Sequence, residues 1–159
     1  MIHPSVLHKM LPTIVPLVLE WVMSVERDLK AGSRTLTADE KSDAIALGIT
    51  HPDAVRVAIV DHLPEPSPEL KHLAQQLRIL TPGTLSLSFG RLIVIKKDAP
   101  DIHQLVLHGL GHALQTERCG GVQAFLTEYF KQCLNDGHEN CAMEVEARDL
   151  ADARIAGRV

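Results

Sequence analysis

The stretch QLVLHGLGHALQTERCGG, Gln104–Gly121, decides how this chain is read. His108 and His112 stand four residues apart in a leucine-rich run that ends in two glycines. Four residues make about one helical turn, so both imidazoles leave one face and can reach one tetrahedral cation. The position after the first histidine, where a zinc hydrolase carries its glutamate, holds Gly109. Three readings follow: a zinc enzyme, a zinc site stripped of its chemistry, or a buried helix that happens to hold two histidines.

Context weighs on that choice. Nine histidines in 159 residues produce roughly half of one such pair by chance, so the bare spacing says little. The flanking leucines make the helix largely buried, and buried imidazoles need partners. A β-like run precedes the helix, and an acidic helix follows about thirty residues later. There MEVEARDLA offers Glu144 and Glu146 as a third ligand. Glu144 is preferred because E-x-x-A puts the small Ala147 one turn on, where a second helix can approach closely. Glu146 remains the competing choice. Asp149 and Asp152 on the same helix are either surface residues or partners for the second nitrogen of a ligand histidine.

Outward from this helix, the pattern predicts an α+β domain, mostly helical, with a small β-sheet before the histidine helix. A helix is expected over 11–30, with Pro12 and Pro16 in its first turns. Thr37 and Glu40 form a capping box that opens a second helix through about Leu47. VRVAIVD, Val55–Asp61, reads as a strand, and 69–80 as a short helix after a proline-rich loop. TLSLSF and LIVIK read as two strands meeting at Gly90, in a bulge or tight hairpin. The histidine helix is expected from about Asp101 to Arg118, followed by helices over 122–134 and from Ala142. No alternation of a parallel βαβ array is read. A single domain over 1–159 fits this length, with 1–35 as an N-terminal helix and linker packed on it.

Composition excludes several functions. The net charge of −4 gives no electrostatic footprint for nucleic acid, and 3% aromatics leave no stacking platform. Cys119, Cys133 and Cys141 are odd in number and contain no C-x-x-C pair, which points to reduced thiols and a cytoplasmic setting. The apolar run MLPTIVPLVLEWVMSV reads as too short and interrupted for a transmembrane segment, and no signal peptide is read. No G-x-G-x-x-G, P-loop or G-x-S-x-G supports a nucleotide or serine hydrolase reading. His62, His72 and His138 read as surface residues; Tyr129 and Phe130 read as packing residues.

HGLGHALQTERCGG, VQAFLTEYFKQCLNDGH and MEVEA, with HPDAVRVAIVD upstream, together resemble a family of small bacterial zincin-like metallopeptidases. Members carry HELxH on a helix, then a GG…FL…Y…C helix, and close with an E-x-E-A helix. The resemblance covers about Leu36–Ala156. It implies a zincin-like fold in which His108, His112 and one of Glu144 or Glu146 bind Zn2+. It also implies that LIVIK is the strand along which a peptide or protein partner lies. Gly109 departs from the family's chemistry, because the glutamate there takes a proton from the attacking water. Such general-base help is worth on the order of 10²–10⁴ in rate. Glu117 and His103 lie off the histidine face and do not replace it. Either the glycine is natural and the site degenerate, or the chain is a variant of an active HELGH parent. Peptide hydrolysis is therefore expected to be weak or absent, the rival being a non-catalytic peptide- or partner-binding protein. Gly109→Glu is expected to restore the base and, as glutamate favours helix, to cost little stability.

Overall fold

The computed structural model describes residues 3–159. Its elements run α1 (Pro4–Leu29), β1 (Arg34–Thr35), α2 (Ala38–Leu47), β2 (Arg56–Val60), α3 (Pro68–Gln76), β3 (Ser86–Phe89), β4 (Leu92–Lys96), α4 (Ile102–Cys119), α5 (Val122–Asp136) and α6 (Ala142–Ile155). Short 3-10 turns lie at Pro52–Ala54 and His138–Asn140. The architecture is α+β, with one mixed four-stranded sheet among the described residues.

Local chemistry sets the helix ends. The capping box of α2 forms as read: Thr37 accepts from the Glu40 amide while the Glu40 carboxylate accepts from the Thr37 amide at 2.8 Å. Asp101 caps α4 by accepting from the Gln104 amide at 2.9 Å. Gly120 ends that helix in the left-handed conformation, φ 87°.

In α1 the structure departs from the sequence reading. The helix starts at Pro4, so Pro12 and Pro16 lie inside it and not in its first turns. Each proline removes one backbone hydrogen bond. A buried stripe of Leu7, Leu11, Ile14, Val15, Val18, Val22 and Val25, packed against α5, offsets that loss. At 26 residues α1 is also long and apolar enough to cross a membrane by length and composition, contrary to the expectation that it is too short. That face, however, belongs to the core of the folded chain.

The sheet order is β1-β2-β4-β3. β3 and β4 form the antiparallel hairpin expected at Gly90, whose φ of 66° makes the turn. β2 and β4, however, pair in parallel, from Arg56 opposite Leu92 to Val60 opposite Lys96. A parallel pair needs a long crossover, and the excursion through α3 and β3 supplies it. β4 is buried on both faces, which is why LIVI reads as continuous apolar sequence. Val94 and Ala58 face a core made with α1 and α5. Ile93, Ile95 and Val57 face one made with α2 and α4. Because β4 is flanked on both sides, LIVIK cannot receive an added strand; β3 is the edge beside the histidine helix.

Candidate metal centre

α4 and α6 meet at a contact that only small residues permit. A Cβ placed on Gly111 would lie 2.9 Å from the Ala147 Cα and 3.0 Å from its Cβ. Gly111 and Ala147 thus set the helix separation, as the E-x-x-A reading anticipated for Ala147, and bring Glu144 over the histidines.

The carboxylate and the imidazoles form a tight group. The His108 and His112 Nε2 atoms are 3.0 Å apart. Glu144 Oε2 lies 3.2 Å from His108 Nε2, and its Oε1 lies 3.2 Å from His112 Nε2. His112 and Glu144 are buried, while the His108 side chain keeps 28% exposure. These three residues could hold a metal ion. Glu146 points elsewhere: its carboxylate accepts from Gln115 Nε2 at 2.8 Å and pairs with Arg118.

Gln115 fixes the protonation pattern. Its amide nitrogen donates to two acceptors, the Met143 carbonyl and Glu146 Oε2, both at 2.8 Å. Its Oε1 must therefore be the atom 2.9 Å from His112 Nδ1, so that nitrogen carries the hydrogen. Nε2 of His112 is thereby turned toward the Glu144 carboxylate. At 3.2 Å that nitrogen and the carboxylate oxygen share either a proton or a metal ion. Zinc–nitrogen bonds of 2.0–2.1 Å in a tetrahedron imply ligand spacings of about 3.3 Å, close to those seen. The donor set fits a divalent metal.

Two residues read from sequence as surface and packing groups also meet Glu144. His138 Nε2 lies 3.3 Å from Glu144 Oε1 with its side chain only 25% exposed, which corrects the surface reading. Tyr129 packs as expected and also donates its hydroxyl to Glu144 Oε1 at 2.5 Å. Burial opposes ionisation of Glu144, but hydrogen bonds from His108, His112 and His138 outweigh it and hold its carboxyl far below the usual range. The Tyr129 phenol is pushed well above its ordinary value by burial and by that neighbouring carboxylate. The tight turn at Gly137 that delivers His138 has no distinct signal in NDGHENC. The tyrosine's role follows only from knowing that α5 and α6 share a face.

The remaining candidates separate cleanly. Asp149 and Asp152 are exposed and do not support the histidines; Gln115 does. His103 pairs with Asp43, and Glu117 accepts from the Thr50 and His51 amides, both away from the cluster as expected. Gly109 overturns its expectation. A Cβ there would sit 2.8 Å from Cδ1, Cγ1 and Cγ2 of Ile93. Position 109 thus points at the underside of β4, and a glutamate does not fit without displacing Ile93.

A cavity of about 390 Å³ opens beside the cluster, with His108, His112, His138 and Glu144 in its wall. The fold and the site together define an α+β domain with a buried histidine–carboxylate group able to take a metal. No protein-family model, curated protein or solved structure matches the chain.

Proposed function

We propose that this chain is a zincin-like protein that binds one Zn2+ through His108, His112 and Glu144, with peptide hydrolysis weak or absent. The observation that carries the reading is the convergence of three donors: Gln115 holds the Nδ1 hydrogen of His112, and its Nε2, His108 Nε2 and the Glu144 carboxylate lie close enough to share one cation. Zinc held there supplies Lewis acidity toward a bound carbonyl or water. Tyr129 and His138 hold Oε1 of Glu144, which orients the carboxylate toward the imidazoles. Position 109, where the family carries its base, has no side chain and faces Ile93, which supports weak turnover. The three cysteines fit a cytoplasmic protein with reduced thiols.

A second reading, a non-catalytic peptide- or partner-binding protein on the same scaffold, is favoured by Ile93 filling the space at Gly109. Elemental analysis of purified protein tests the first statement: about one zinc per chain, lost in His108→Ala, His112→Ala and Glu144→Ala but kept in Glu146→Ala. Unchanged zinc in all four variants refutes the ligand set. Cleavage of a broad peptide library by the zinc-loaded protein separates the two readings, since robust turnover excludes the binding-only one.

A further inference from the structure

The cavity beside the cluster has a chemistry of its own. Its walls bring together Trp21 of α1, Leu70 and Leu73 of α3, Leu87 of β3, and Phe125 and Leu126 of α5. Its volume of about 390 Å³ lies within the roughly 300–1,000 Å³ of small-molecule sites. The roof, α3, buries none of its residues, so Leu70 and Leu73 stay partly exposed where a ligand would cover them. The imidazoles and the Glu144 carboxylate converge in one part of this mostly apolar lining, and the exposed Glu139 stands at its edge. Arg78 is the only lysine or arginine in it, and it is exposed.

Charge decides which head group belongs beside the histidines. Without a metal, Glu144 and Glu139 repel an anion. With a divalent cation added to two neutral imidazoles and one carboxylate, the group carries a net charge of about +1 and attracts one. We propose that the cavity binds a small amphiphile, an apolar chain ending in a metal-seeking anion such as a carboxylate or hydroxamate, with the anion at the histidine–glutamate group. The head-group part rests on the zinc reading; the chain part rests on the cavity walls alone.

Trp21 is the only tryptophan and lines the cavity, so its emission reports occupancy. The experiment titrates butyl, hexyl and octyl carboxylates, hydroxamates and alcohols into protein of known zinc content, and repeats the series after chelation. Affinity is expected to rise about fourfold per methylene. Acids and hydroxamates are expected to bind at least tenfold tighter than the matching alcohols with zinc present, and no tighter once it is removed. Leu73→Arg, on the exposed roof helix, is expected to abolish the chain-length dependence while zinc content stays at the wild-type level. A zinc-loaded protein whose Trp21 ignores every chain overturns the inference and leaves the metal reading standing. Chain-length dependence without head preference on zinc-loaded protein overturns the amphiphile. Protein that takes up no zinc removes both the metal reading and the head-group assignment.

Discussion

Replacing Gly109 with alanine tests the packing of α4 under the sheet, and the sign of the effect depends on Ile93. In an ordinary helix this change is favourable by about 0.8–1 kcal/mol. Here the new Cβ would stand 2.8 Å from three side-chain carbons of Ile93, a fully buried residue of β4. Overpacking of that kind costs about 1–3 kcal/mol, so Gly109→Ala is expected to destabilise by about 0–2 kcal/mol. Ile93→Ala removes all three opposing carbons and by itself costs about 2–5 kcal/mol. In that background nothing opposes the helix propensity, and Gly109→Ala becomes stabilising by about 1 kcal/mol. The coupling energy of the cycle is then about 1–3 kcal/mol, measurable by urea denaturation followed by far-ultraviolet circular dichroism. Gly109→Ala stabilising both backgrounds equally would refute the argument. Gly109→Glu adds the cost of a buried carboxylate, so it is expected to lose more stability than alanine and to gain no peptide hydrolysis.

Gly111→Ala forces its methyl against the Ala147 backbone, so it is expected to lower both the urea midpoint and zinc affinity; an unchanged affinity would mean that helix separation does not position Glu144. Tyr129→Phe removes one donor to Glu144 and keeps the ring packing, so zinc affinity measured by competition with a chelator is expected to fall about 10–100-fold, and equal affinity speaks against that support. Cys119 is expected to react with Ellman's reagent in the native protein, with the buried Cys133 and Cys141 reacting only on unfolding; three fast thiols would contradict their burial. Arg34, hydrogen-bonded to Glu40, holds that carboxyl below its usual range, so the stability it lends is complete above the ordinary glutamate value and is lost as pH falls through the lowered one. Glu40→Gln is therefore expected to lower the midpoint at neutral pH, with the difference shrinking in acid, and a constant difference would show that the cap alone matters.

Much of the frame was legible because local signals and tertiary demands agree. The Thr37–Glu40 box, the Gly90 hairpin and the double glycine after α4 each use short-range chemistry, and the structure forms all three. The His108/His112 pair was legible for the same reason, being a property of one helix. What escaped depends on which elements meet. The parallel partnership of β2 and β4 spans a distant pair of segments that hydrophobic pattern alone does not match. The preference for Glu144 over Glu146 came from Ala147 one turn on and is met, but His138 enters through a turn whose composition is that of any surface loop. Gly109 was judged by helix propensity, but the residue facing it across the interface outweighs that preference.

The crossover between the paired central strands divides the chain's labour. Everything between Val60 and Leu92 leaves the sheet, carries α3 over the cavity and returns as the edge strand β3. The side chains that could hold a metal all come later, from α4 onward. The roof of the cavity and the group that could hold a metal are thus written on separate stretches of sequence, while Phe125 and Leu126 add a wall from the later one. Residues 63–85 shape the roof of the chamber from a different scaffold than the one that carries the histidine–glutamate group.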